Sequence, residues 1–296
     1  MAESRLSADA AHFTTFQTEQ DGRVLYITLN NPPVNALSVV MMSELRDLML
    51  ALRENDSVAV IVFDSANPEF FIAHVDMNIG DQMDILGQLA SKAPEGVNVF
   101  QAVGELLRQQ PQVTVVKLKG IARGGGAEFI AAADMTFAAR ETARIGQIEA
   151  LMGIIPSGGG TQYLLERVGR NRALELVLTG DAVEADVAAS YGWINRAIPA
   201  NDLDAFVDRL AHNIADLPEG VLAAAKRIFA PLTPLRGYEQ EETEWGALFG
   251  LPAARHLIGD SLERGAQTID GERDLEGLLR GMNKESQPHD SSEQQP

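Results

Sequence analysis

Gly124-Gly-Gly-Ala-Glu128 is the stretch whose residue types and spacing point most directly to chemistry. It follows a β-branched run, 113–119, that reads as a strand, and it leads into 129–133, which reads as a helix. The glycines therefore occupy a strand-to-helix turn. There the first N–H groups of the helix lack internal partners and lie at the positive end of its dipole, so they can donate to a developing negative charge. Glycine lets a ligand come close to them. Glu128 stands three residues past Gly125, the next turn on the same helix face, which puts a carboxylate beside the amide. On local grounds the helix terminus favours its ionised form. Such a pair suits reactions that build charge on a carbonyl oxygen while a proton moves nearby. Taken alone, a glycine turn before a helix is more often plain packing or an anion site. A dinucleotide fingerprint fits poorly, because Phe129 stands where its last glycine would be.

The elements that must position this turn can be read from periodicity. Residues 24–29 form a strand closed by the two prolines at 32 and 33, and Ser38 caps a helix with Met41, Leu45, Leu48, Met49 and Leu52 on its apolar face. Residues 58–63 are continuously apolar, as in a strand covered on both sides. Residues 69–76 read as a short strand running into a polar loop, and 77–96 as a mobile segment without regular structure. A helix over 97–109 turns Phe100, Val103 and Leu107 inward. A strand at 135–138 precedes the segment 143–149. A second glycine cluster at 158–160 opens a helix, and helices at 171–178 and 184–190 lead to a strand at 194–198. From Asp202 the chain reads as nearly all helix, with an acidic entry at 239–244.

Composition bounds the rest. A chain of 296 residues, 45% hydrophobic, can bury a large core. No apolar run approaches the roughly 20 residues of a membrane span, and the start carries no secretory pattern, so a cytoplasmic location is expected. Zero cysteines exclude disulfides and thiolate chemistry. A net charge of -18 argues against nucleic acid as a partner.

Taken together, Asn35-Ala-Leu37, Phe71-Ile-Ala-His-Val-Asp76, Gly124-Gly-Gly-Ala-Glu128, Gly146-Gln-Ile-Glu149, Ile155-Pro-Ser-Gly-Gly-Gly-Thr-Gln162 and Leu178-Thr-Gly-Asp181 occur in the order and spacing of a known family. The chain resembles the enoyl-CoA hydratase/isomerase (crotonase) superfamily over about residues 20–230. The resemblance implies an α/β fold, a spiral of repeated ββα units with a C-terminal helical region. It places the spiral core at 13–200 and a helical oligomerisation region at 201–283; the polar, aperiodic stretches 1–12 and 284–296 are expected to be disordered tails. It also implies an acyl-CoA thioester substrate, no metal or redox cofactor, and a homotrimer or dimer of trimers.

Residue by residue, the resemblance puts the oxyanion-hole amides on Val75 and Gly125 and the two catalytic carboxylates on Glu128 and Glu149. It puts substrate contacts on Ala73, His74, Asp76, Gly124 and Ser157. Ser157 has no nucleophile elbow around it, since Ile155 stands two residues before it, and is expected to line the pocket near Glu149. Asp76 and Asp134 read more readily as turn-anchoring acids. Alone, Glu149 reads as a solvated loop charge. Two positions depart from the family pattern. His74 replaces a usual glycine, and its plainest reading is a loop residue in an unusual backbone conformation. Asn78 replaces a usual lysine, leaving Arg123, Lys92, Lys226 and Lys284 as candidates for the CoA phosphates. The implied activity is hydration of a 2-enoyl-CoA. The alternatives are double-bond isomerisation, which needs one carboxylate, and non-catalytic acyl-CoA binding, with a lyase or thioesterase reaction also within reach of the fold.

Overall fold

The computed structural model describes residues 13–285. β1 (Phe16–Asp21) and β2 (Val24–Leu29) are followed by α1 (Val39–Leu52). β3 (Val60–Ser65) and β4 (Phe70–Ile72) lead through a short 3-10 turn, Ile79–Gln82, to α2 (Met83–Ala90) and α3 (Val99–Arg108). β5 (Val113–Leu118) and β6 (Ile121–Arg123) lead to α4 (Gly125–Ala132). β7 (Met135–Ala139) and β8 (Arg144–Gly146) precede a second 3-10 turn, Glu149–Met152, then α5 (Gly160–Val168) and α6 (Arg170–Thr179). β9 (Val183–Glu184), α7 (Ala185–Tyr191) and β10 (Arg196–Ile198) complete the strands. Helices α8 (Ala200–Ala215), α9 (Val221–Ile228), α10 (Leu235–Phe249), α11 (Pro252–Glu263), α12 (Ile269–Glu272) and α13 (Leu275–Glu285) follow.

Successive strand pairs divide themselves between two sheets. β3, β5 and β7 enter a six-stranded sheet of order β1-β2-β3-β5-β7-β10, whereas β4, β6 and β8 enter a four-stranded sheet of order β4-β6-β8-β9. This is the expected spiral of ββα units with a helical C-terminal region. β3, apolar and buried from Val60 to Phe63, lies between β2 and β5 as that run requires. Helix α1 buries Met41, Leu45, Leu48, Met49 and Leu52, and the Ser38 side chain accepts from the Met41 N–H. Helix α8 packs on the six-stranded sheet.

Three local features depart from the sequence reading. β1 is polar and exposed at five of six positions, an edge strand with no apolar alternation to reveal it. Residues 77–96 are not irregular, since they hold a 3-10 turn and α2, whose Leu89 is buried. The strand before the glycine turn is β6, not β5, because the chain crosses at Gly120 from one sheet to the other. A Cβ at Gly120 would sit 2.3 Å from the Glu69 carbonyl oxygen, so only glycine permits that crossing. Of the two expected tails, 1–12 lies outside the described residues, and 284–296 does so apart from Lys284 and Glu285, which end α13.

Asp134 anchors the turn after α4, as its residue type suggests. Its carboxylate accepts from the Thr114 N–H at 2.8 Å and from the Lys226 ammonium at 2.6 Å. Helix α9, which carries Lys226, buries none of its residues, so this ion pair is a principal tie between it and the sheet. Asp134→Ala is expected to cost about 1–3 kcal/mol, read as a lowered melting temperature, and to make α9 more readily cleaved by protease. An unchanged cleavage pattern would show that α9 is held by other means.

Candidate active site

The register of the four-stranded sheet brings distant residues together. β4 pairs in parallel with β6, with Phe70 opposite Ile121 and Ile72 opposite Ala122, so 73–75 leave one strand beside the glycine turn that leaves the other. The segment around Val75 is held from its far side, where the Leu37 N–H donates to the His74 carbonyl and the Asp76 N–H donates to the Leu37 carbonyl. A Cβ on Gly125 would fall 2.5 Å from Val75 Cγ2 and 3.6 Å from Val75 N. Among the described residues neither the Val75 N–H nor the Gly125 N–H has a hydrogen-bond partner. Both residues line the same cavity.

That cavity has a volume of about 520 Å³. Its walls are largely apolar. Met83 and Leu86 come from α2, Phe100 from α3, Met152 and Ile154 from the turn after β8, and Trp245 and Phe249 from α10. The last two stack at 4.7 Å. Phe100, expected in the core, is half-buried on this wall instead.

Glu128 and Glu149 line the cavity and are buried, 6% and 7% exposed. Gly158 and Gly160, at the start of α5, donate to Glu128 Oε1 at 2.7 and 3.0 Å. The second glycine cluster is needed for this approach, since a Cβ at Gly158 would overlap Glu128 at 2.2 Å. Gly124, at φ +48°, leaves room for Glu149, whose Oε1 would be 2.8 Å from a Cβ there. In the amide orientation that satisfies hydrogen bonding, Gln147 donates to both Glu149 oxygens, at 3.1 and 3.3 Å.

Burial dominates the electrostatics of the pair. It pushes the Glu128 carboxyl up to about 7, against the two glycine N–H groups that favour the charged form. The helix terminus therefore does not keep Glu128 at its ordinary value: desolvation leaves it part-protonated near neutral pH. Glu149 is raised well above the usual carboxylate range, by burial first and then by the charge of Glu128. A third acid, Glu241 of α10, was not singled out from the acidic run 239–244. It is 2% exposed, accepts from the Gly159 N–H at 3.2 Å, and is pushed up to about 9 by burial and then by Glu128. The amides of 158–160 therefore face two carboxylates, Gly158 and Gly160 serving Glu128 and Gly159 serving Glu241. Nothing in the periodicity of 239–244 separates Glu241 from its exposed neighbours.

The other candidates are distributed as follows. Gly124, His74, Asp76 and Ser157 line the cavity. Ala73 lies outside its lining, fully buried in a small cluster with Val34 and Phe70. The Ser157 carbonyl accepts from Asn98, the N-cap of α3. Asp76 accepts from the Asn78 N–H in a tight turn. His74 has no unusual backbone conformation, since among the described residues only Asn35 and Gln267 are non-glycines at positive φ. It is buried instead with Nε2 2.8 Å from Glu272 Oε1.

Of the four candidate phosphate ligands, Arg123 is corrected outright. It is 1% exposed and bound to Glu272 and Glu276. Lys226 is paired with Asp134, and neither Lys92 nor Lys284 lines the cavity. Arg255 of α11, which sequence reasoning passed over, is exposed and does line it. Glu272 stays below its ordinary range. Burial acts to raise it, but His74, the Gln267 N–H and Arg123 together outweigh that. Among the described residues no cluster of three or more His, Asp or Glu side chains is arranged to hold a metal ion.

The sequence profile of the enoyl-CoA hydratase/isomerase family matches residues 19–255. A "Probable enoyl-CoA hydratase, mitochondrial" from Dictyostelium discoideum is 31% identical over 221 residues, 72% of this chain and 74% of that protein. The 2,3-dehydroadipyl-CoA hydratase of Escherichia coli is 31% identical over 69% of this chain and 77% of its own length. The crystal structure of a candidate enoyl-CoA hydratase from Streptomyces avermitilis superposes with a TM-score of 0.91 at 61% identity, covering 92% of this chain and 99% of that one.

The raised Glu128 carboxyl has a consequence for stability. Folded Glu128 keeps its proton up to about pH 7, whereas its ordinary value is 4.5, so between those values the folded state binds more protons than the unfolded one. Stability therefore falls as pH rises through that window. Glu128→Gln removes the titration while keeping an oxygen for Gly158 and Gly160. Its melting temperature relative to the parent should climb by a few degrees between pH 5 and pH 8. A difference that stays flat across that range contradicts the raised carboxyl.

Proposed function

The chain belongs to the enoyl-CoA hydratase/isomerase family, and from that premise we propose that it hydrates a 2-enoyl-CoA thioester. The observation that carries this reading is the pair of buried carboxylates, Glu128 and Glu149, lining one cavity with the partnerless amides of Val75 and Gly125. An isomerase needs one carboxylate to move a proton between carbons. Hydration needs a base for water and an acid for the α-carbon, and both are at hand.

In this mechanism the thioester oxygen is held by the Val75 and Gly125 N–H groups, and the apolar walls receive the acyl chain. Water sits between the carboxylates. Two glycine N–H groups favour charge on Glu128, whereas the charge of Glu128 itself disfavours it on Glu149. Glu128 is therefore the base, and Glu149 carries the proton that the pair retains. Glu128 takes a proton from water as its oxygen attacks the β-carbon, and the π electrons shift toward the thioester oxygen. The enolate-like charge is stabilised there by the two amides, each worth about 3 kcal/mol of barrier. Glu149 then delivers its proton to the α-carbon. Arg255, exposed at the cavity, is the cation we assign to the CoA phosphates.

The same reading includes self-association. Ile228, Phe229 and Leu232, 78%, 82% and 89% exposed in the single chain, form an apolar surface that suits a subunit contact. A trimer, or a pair of trimers, is expected by light scattering, and Phe229→Asp should weaken it.

Glu128→Gln and Glu149→Gln are each expected to lower kcat on a short 2-enoyl-CoA by about 10²–10⁴-fold while saturated acyl-CoA binding persists. Turnover of a 3-enoyl-CoA without hydration of the 2-enoyl ester would replace the hydratase with an isomerase.

A further inference from the structure

One buried carboxylate touches a residue just upstream of each proposed oxyanion donor, His74 one position before Val75 and Arg123 two before Gly125. Glu272 Oε1 lies 2.8 Å from His74 Nε2, and His74 precedes Val75. Glu272 Oε2 accepts from Arg123 at 3.2 Å and its backbone carbonyl accepts from the same guanidinium at 2.9 Å, and Arg123 ends the strand that runs into Gly124 and Gly125. The side chain of Glu272 is 0% exposed, that of His74 3% and that of Arg123 2%. These partners are 198 and 149 residues away from it in sequence. We propose that Glu272 is a positioning residue for the oxyanion site, fixing from the C-terminal helices the separation and aim of the Val75 and Gly125 amides through His74 and Arg123.

The segment that carries Glu272 is shaped to deliver it. The Thr268 side chain caps α12 by accepting from the Gly271 N–H. Gln267 adopts φ +64°, a conformation that side chains resist, and is tied at both ends: its N–H donates to Glu272 Oε1 and its side-chain oxygen accepts from the Met77 N–H. Residues 267–272 thus grip the 74–77 loop at two points. Glu276, in the first turn of α13, holds the other edge of the Arg123 guanidinium at 2.6 and 2.9 Å, so the arginine is fixed as a rigid fork. The amides themselves lie just beyond two strand ends, those of β4 and β6, and Glu272 is a side chain that bridges the segments leaving those ends from outside the sheet. Preset donors matter because the transition state, more than the bound ester, depends on their aim.

The inference rests on Val75 and Gly125 being the oxyanion donors, and the test separates the two claims. Butyryl-CoA labelled with ¹³C at the thioester carbonyl is bound to the full-length protein, and its carbonyl stretch is read by isotope-edited infrared spectroscopy. The parent should show a downshift. Glu272→Gln should lose most of it, with a 10- to 100-fold fall in kcat for 2-enoyl-CoA and a KM changed by less than about threefold, as a small misplacement of catalytic groups implies. Since Glu272→Gln leaves a buried arginine short of a charge, a second pair of variants carries the argument. His74→Asn keeps the local contact of Nδ1 with the Val75 carbonyl, 2.7 Å in the parent, but cannot reach Glu272, and it should behave as Glu272→Gln does. His74→Gln can reach Glu272 and should recover most of the downshift and turnover that His74→Asn loses. A parent downshift that survives in His74→Asn overturns the role of Glu272, whatever happens to kcat. No downshift in the parent overturns the oxyanion assignment itself.

Discussion

The parallel pairing of β4 with β6 is the constraint on which the site depends. It sets Ile72 opposite Ala122, and three residues on from each strand partner the chain reaches Val75 and Gly125. Two backbone segments 50 positions apart become neighbours without any side chain having to recruit them. The pairing is possible because α4 starts at a glycine turn that lies against the β4 backbone, where a Cβ at Gly126 would stand 2.2 Å from the Ile72 carbonyl oxygen. The glycines that look like ligand-binding residues in the sequence are thus also packing residues. Removing the freedom at Gly126 would separate strand from helix before it affected any ligand.

Charge around the site is governed by burial more than by local dipoles. A glutamate in the first turn of an exposed helix is stabilised in its ionised form by some tenths of a kcal/mol. Taking the same group out of water can outweigh that several times over, and at Glu128 it does. The N-terminal amides of α5 moderate the effect for Glu128 through Gly158 and Gly160, while Gly159 turns to Glu241. Three acids around one glycine turn cannot all ionise cheaply. The result is a cluster that keeps protons near neutral pH, which a reaction exchanging protons with water and carbon can use.

How legible this was follows from which interactions are local. Ser38 and the apolar face of α1 were readable because cap and periodicity lie within one element. β3 was readable because its run Val60 to Phe63, buried on both faces, is apolar without a break. The resemblance supplied Glu149 and Val75, which no local pattern distinguishes. β1 was missed because an exposed edge strand carries no apolar alternation, and α2 because its eight residues bury little beyond Leu89. Arg123 was read as a free cation because its partners, Glu272 and Glu276, come from the far end of the chain. Glu241 hid among acids that are exposed. For Arg123 and Glu241 the deciding partners are distant in sequence, and residue type alone does not say which glutamate of a run faces inward.

The same distance explains why the C-terminal helices belong to the site as much as the spiral does. Trp245 and Phe249 form a wall of the cavity, Leu257, Leu275 and Leu279 pack on Ile148 and Met152, and Glu272 reaches the two strand ends. A site assembled from strand ends alone would be open on this side and exposed to water, and burial is what raises the carboxyls. The helices close the cavity with apolar side chains and spend the charge of Glu272 and Glu276 on Arg123 and His74, while the acid they bring to Glu128, Glu241, is pushed by burial toward its neutral form. Breaking that segregation, by placing a cation of α10 or α11 beside either glutamate, would favour ionisation of both and remove the retained proton. The acidic cluster therefore depends on what the C-terminal helices withhold from the cavity as well as on what they contribute to it.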